Sequence, residues 1–155
     1  MHLQPAYSRN RADEARLLAH LEAVDAHFVP VLSTRVELSG YAAKLCARAE
    51  RFEAWNGPAL VGLVAAYCNM PAVAFVTSVS VLPAWQGRGV ARELLRQCLH
   101  HARQAGLSSV ALEVSPQATA AVSLYKALGF VIEAQDNSRL ELRLDLQLHG
   151  TPSTT

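Results

Sequence analysis

The sequence predicts an α/β (α+β) fold, a mixed and mostly antiparallel sheet of six or seven strands with about four helices. Three observations predict it. Two β-rich runs flank Asn56-Gly57, a strong short hairpin signal, and so open an antiparallel meander. Between residues 73 and 114, an extended segment, a glycine turn, a long amphipathic pattern and another strand follow one another. A strand–helix–strand unit of this length demands a right-handed crossover and a central parallel pair. Finally, LELRLDLQL near the C-terminus alternates so strictly that one face of its strand must be wet.

The elements can be justified in order. Residues 2–7 form a short strand that Pro5 confines to an edge. Asn10 is the expected N-cap of a helix over 11–27, with Asp13 favouring its start. Leu17, Leu18, Leu21, Val24 and Phe28 recur there at helical spacing, and Pro30 ends the run. A second helix fits 37–48, where Tyr41 and Leu45 lie one turn apart. Strands at 51–55, 59–68 and 73–82 make the meander, the second turn being Asn69-Met70-Pro71. In the third strand Val73, Phe75, Thr77, Val79 and Val81 are expected on one face, opposite the small Ala74, Ser78 and Ser80.

A helix over 88–104 buries Val90, Leu94, Leu95, Cys98, Leu99 and Ala102, and Gly106 ends it. Val110, Leu112 and Val114 then alternate as a strand. Ser115-Pro116 reads as an N-cap with proline at the first helical position, opening a helix over 117–128 that stops at Gly129. A hairpin of 130–134 with 139–148 turns at Asp136-Asn137. Residues 1–148 are thus expected to be one domain and 149–155 a disordered polar tail.

Composition narrows the function. Of 155 residues, 51% are apolar and 17% charged, which suits a well-buried domain. A net charge of +1 argues against nucleic acid, whose binders cluster Lys and Arg. No apolar run approaches ~20 residues, and the N-terminus lacks the basic-then-apolar design of a signal peptide, so the expectation is a cytoplasmic protein without a membrane partner. Cys46, Cys68 and Cys98 are isolated, and no ligand spacing predicts a metal.

The stretch Thr77–Arg96 carries the first chemical signal. Gln86-Gly87-Arg88-Gly89-Val90-Ala91 joins a strand to a helix and presents unpaired N–H groups at the helix's positive end, a geometry that receives phosphates. Arg88, Arg92 and Arg96 recur one turn apart near that end, a local repulsion that a polyanion would relieve.

The order β-α-α-β-β-β-α-β-α-β-β, Gln86-x-x-Gly89-x-Ala91, and the run Ala121-x-x-Leu124-Tyr125-Lys126-Ala127-Leu128-Gly129-Phe130 together resemble the GNAT (Gcn5-related) N-acetyltransferase family. The resemblance implies the GNAT fold and acetyl-CoA as donor. It places the pyrophosphate on the backbone of Gly87, Arg88, Gly89, Val90 and Ala91 with Gln86 and Arg92 alongside, and the pantetheine arm against Val79 to Val81. Arg88, Arg92, Arg96 and Lys126 would meet the 3′-phosphate. Many members carry an asparagine where this chain has Ala118, which bears on donor affinity and acyl preference. Family members often dimerise, which leaves a homodimer open.

Transfer to an amine needs a neutral nucleophile, a polarised carbonyl and a proton for the departing thiolate. Tyr125 matches the family's tyrosine acid. For the base, Glu113 is expected to be half-buried beside Ala111, with a raised pKa. Tyr67 and Asn69 are candidate acceptor contacts. The expected reaction is acetylation of a primary amine by direct attack, on a small molecule. The alternatives are a protein or peptide N-terminal acetyltransferase and a non-catalytic acyl-CoA-binding module.

Overall fold

The computed structural model describes residues 4–146. Seven strands form one sheet in the order β1-β2-β3-β4-β5-β7-β6. They are β1 (Ala6–Arg9), β2 (Glu50–Asn56), β3 (Ala59–Tyr67), β4 (Val73–Val81), β5 (Ser109–Val114), β6 (Val131–Gln135) and β7 (Leu140–Asp145). Neighbours run antiparallel except β4 and β5, which are parallel. Four α-helices cover the sheet: α1 (Glu14–Val24), α2 (Leu38–Arg48), α3 (Val90–Gln104) and α4 (Thr119–Ala127). The expected meander, the parallel crossover and the wet outer face of β7 are all present.

Two cores form, one on each face. Leu17, Leu21, Ala42 and Leu45 from α1 and α2 pack on Leu60, Leu63 and Ala65 of β3. On the other face Val90, Leu94, Leu95, Cys98 and Leu99 of α3 pack on Val64, Ala66, Ala74 and Val76. Helix α3 approaches the sheet closely at Gly62, where an added Cβ would lie 2.8 Å from Val90 Cγ1. That contact fixes the N-terminal end of α3 over the C-terminal half of β4, since Gly62 pairs with Val81.

Several local expectations change. The first strand lies at Ala6–Arg9, later than 2–7, and residues 2 and 3 fall outside the described ones. Asp13 caps α1, its carboxylate accepting from Arg16 N at 2.9 Å. Asn10 instead takes a left-handed φ of 60° and accepts from Arg51 N at 2.7 Å, tying the end of β1 to β2. Ser115 is not the cap of α4. Its hydroxyl accepts from Gln117 N in a turn before the helix, and Ala118 stands at the N-cap with no side-chain bond. The polar tail at 149–155 and the last residues of the 139–148 strand lie outside the described residues.

The face assignment in β4 also changes partway along. Ala65 pairs with Ser78 but Ala66 pairs with Val76, so Thr77 is an extra residue in the strand. Such a bulge switches which side chains face which layer. Ala74 and Val76 face α3 before it, and Val79 and Val81 face α3 after it.

Candidate active site

The bulge lies where the sheet opens. Strands β4 and β5 pair only from Val73 with Ser109 to Val76 with Leu112. Beyond Val76, β5 continues along β7 while β4 continues along β3. The cleft between them has a volume of about 380 Å³ and is lined by β4, β5, α4, the α1–α2 loop and the β6–β7 turn. Among the described residues, the β5-facing edge of β4 has no strand partner from Thr77 to Val81. Gln86 Nε2 donates to the Val81 carbonyl at 3.1 Å, steadying that end. An unpaired edge is a template for an extended ligand's amides.

The glycine turn stands at the same end. Gly87 and Gly89 have φ of 76° and 78°, and Gly89 is the N-cap of α3. Nothing lies within 4 Å of a Cβ added at either, so conformation and open approach, not crowding, account for glycine there. The first helical bond runs from Glu93 N to the Gly89 carbonyl, leaving the N–H groups of Val90, Ala91 and Arg92 without helical partners. The Arg88 guanidinium lies 4.7 Å from the centroid of the buried Trp85 ring. Arg92 is exposed. Arg96 departs from the expected row, because it is bound to Glu93 at 2.7 Å and lines a separate hollow with Arg9 and His100. Lys126 is exposed on α4 and does not line the cleft.

Tyr125 lines the cleft from α4 and is buried, its ring edge-on to Phe130 with centroids 5.9 Å apart. Burial pushes its phenol up to about 12, so it stays protonated at neutral pH. Glu113 also lines the cleft, but it is exposed and ion-paired with Arg139. Its side chain keeps 36% of its surface exposed, so the half-burial expected for it is met on one side, while the parting of β4 from β5 opens the other to solvent. Ala118 lines the cleft between them.

The cysteines have no part in this geometry. Burial pushes the Cys98 thiol up to about 12 and raises Cys68, which disfavours the thiolates a covalent route would need. Among the described residues, no group of three or more His, Cys, Asp or Glu is placed to hold a metal, and no helix is long and apolar enough to cross a membrane.

Tyr67 and Asn69 are not among the residues lining the cleft. Tyr67 packs in the α1–α2 core with Lys44 Nζ 5.2 Å from its ring centroid and its buried hydroxyl near Thr77, and Asn69 is exposed in the β3–β4 turn. The loops that line the cleft contribute, among others, His27, Phe28 and Arg35 between α1 and α2 and Ser138 and Arg139 in the β6–β7 turn. No motif marks them. Tyr41 of α2 reaches in from beneath, its hydroxyl donating to the Thr77 carbonyl at 2.9 Å and lying 2.8 Å from Thr77 Oγ1.

The comparisons with known proteins agree with this architecture. The model of the acetyltransferase (GNAT) family matches residues 21–130. A mycothiol acetyltransferase of Corynebacterium glutamicum is 35% identical over 78 residues, covering 50% of this chain and 27% of the relative. That of Nocardia farcinica is 47% identical over 62 residues, 40% of this chain and 20% of the relative. The chain therefore spans about a quarter or less of the length of these relatives. Among solved structures, a GNAT-family protein from Desulfovibrio desulfuricans superposes with a TM-score of 0.75 at 18% identity, over 92% of this chain and 99% of the other. A Salmonella typhimurium protein with its cofactor acetyl-CoA gives 0.72 at 21% identity, over 97% and 99%. The structural likenesses establish the fold, and the family match extends over the meander, the glycine turn and the tyrosine helix alike. The chain belongs to the acetyltransferase (GNAT) family.

Proposed function

We propose that this chain transfers the acetyl group of acetyl-CoA to the primary amine of a small molecule by direct attack. The parting of β4 from β5, with a free strand edge leading from the bulge to an open helix N-terminus, carries the reading. The pyrophosphate binds the N–H groups around Arg88 to Ala91, with Gln86 and Arg92 beside it. The pantetheine amides pair with β4 along Val79 to Val81. Arg88, Arg92 and Lys126 are the candidates for the 3′-phosphate. With Ala118 where many members have asparagine, the arm is held by backbone more than by side chain.

This binding sets the thioester at the bulge, between Thr77 and Tyr125. The acceptor enters from the side of the α1–α2 loop. Its neutral nitrogen forms a bond to the thioester carbon, the carbon–sulfur bond breaks, and the thiolate takes the Tyr125 proton. Glu113, directly or through water, removes the proton that the amine loses. A phenol held protonated by burial is available as that donor across the neutral range.

The test is release of free CoA from acetyl-CoA in the presence of a panel of primary amines. Amine-dependent release supports the reaction. No release with any amine, while calorimetry records tight acetyl-CoA binding, would favour a non-catalytic binding module.

A further inference from the structure

The ionic groups lining the cleft are unequal in number. Arg35 and Arg139 line it with Glu113, and His27 stands beside them. Glu113 and Arg139 are paired with each other. The Arg35 guanidinium has no ion pair or hydrogen bond among the described residues, and the residue is exposed at the mouth. Its charge nevertheless reaches the bulge: burial pushes the Tyr41 hydroxyl bonded to Thr77 up to about 12, and Arg35 opposes that rise.

An amine in neutral water arrives as an ammonium. A cleft with one uncompensated guanidinium repels it unless the same molecule brings a negative charge. An arginine fork matches a carboxylate or a phosphate geometrically, and such bonds are short and strong. We infer that the acceptor is an amine that also carries an anionic group, a carboxylate or a phosphate, received by Arg35 while its ammonium faces Glu113.

A second polar group supports an oriented ligand. Ser78 is only 4% exposed and lines the cleft, and its hydroxyl meets no hydrogen-bond partner. Tyr41 is close to it, but the Tyr41 hydroxyl is already engaged by Thr77. Buried hydroxyls are seldom left unsatisfied. A polar acceptor reaching past Arg35 toward the bulge would satisfy this one.

The inference rests on the proposed reaction, and the experiment separates the two. Free-CoA release is measured with matched acceptor pairs, glycine against glycinamide and phosphoethanolamine against ethanolamine, using the wild-type chain and Arg35→Gln. Comparing ratios between proteins cancels the difference in amine basicity within each pair. The anionic member should be preferred, and Arg35→Gln should shrink that preference about ten- to a hundredfold, mainly through KM, as for loss of a charge-assisted hydrogen bond. The glycine pair reads a carboxylate and the phosphoethanolamine pair a phosphate. Equal rates within both pairs, or a preference that survives Arg35→Gln, overturn the inference and leave the acetyltransferase reading intact. Absence of release with every amine sinks both. Arg35→Lys should restore part of the preference, and an unchanged melting temperature in both variants excludes a folding defect as the cause.

Discussion

Nε2 of His20 lies 2.8 Å from Oγ of Ser80, inside the interface between α1 and the sheet. The other ring nitrogen, Nδ1, lies 2.8 Å from the Leu60 carbonyl. A carbonyl can only accept, so Nδ1 carries the proton and Nε2 accepts from the serine hydroxyl. The ring is thus neutral and satisfied on both sides while only 2% exposed. It bridges α1 to β3 and to the strand that would hold the pantetheine arm.

That arrangement predicts acid sensitivity. Burial lowers the His20 pKa to about 4, opposed by its backbone bond, whereas an unfolded histidine titrates near ~6.5. Between those values the unfolded chain binds the extra proton, so stability falls as pH drops. The contribution is whole above ~6.5 and is lost progressively toward 4, on the order of 3 kcal/mol in all. Urea midpoints at pH 7 and pH 5 should therefore differ more in the wild type than in His20→Gln. Parallel pH dependences in the two proteins would refute the assignment.

Much of the fold was legible because it is written in short-range patterns. Asn56-Gly57, the buried stripe from Val90 to Ala102 and the alternation of β7 each specify an element through its own period or turn chemistry. The features without a local signature depend on distant partners. Thr77 has no local signature of a bulge, which exists because β3 and β4 slip past one another there. Asn10 looks like a cap from its neighbours, yet Arg51, forty-one positions away, holds its side chain. Glu53 is fully buried because Ser8 and the N–H groups of Arg11 and Ala12 converge on it, a set assembled only by the fold. The candidate site divides in the same way. The donor side is a contiguous motif and could be read directly, whereas Arg35 and Arg139 meet at the cleft from opposite ends of the chain.

Gly89→Val is expected to abolish tight acetyl-CoA binding. Gly89 sits at φ 78°, a region that costs a β-branched residue roughly 1–3 kcal/mol, so the turn must rebuild and withdraw its N–H groups. Because no atom crowds the position, the core should persist. Calorimetry with acetyl-CoA on a variant of native circular dichroism checks this, and retained affinity would remove the turn from the phosphate site.

Tyr125→Phe isolates the hydroxyl, since the ring's contact with Phe130 survives. Acetyl-CoA affinity should change little while kcat falls about a hundredfold, the lower range for loss of a positioned acid. Because the phenol is held near 12, wild-type activity should show no loss from Tyr125 ionisation below about pH 10. A variant with full kcat would assign protonation of the thiolate to water.

Glu113→Gln tests the remaining proton transfer. Glu113 faces solvent at the cleft mouth and shares its charge with Arg139, so it can receive the amine's proton and pass it to bulk water. Replacing it should lower kcat/KM for the amine about tenfold or more, with the deficit largest at low pH, where a base is scarcest and the acceptor most protonated. Arg139→Gln provides the contrast. It leaves the carboxylate in place and removes its partner, so its kcat/KM should stay well above that of Glu113→Gln at low pH. If Glu113→Gln keeps the wild-type profile, deprotonation belongs to water alone, and the Glu113–Arg139 pair only shapes the entrance.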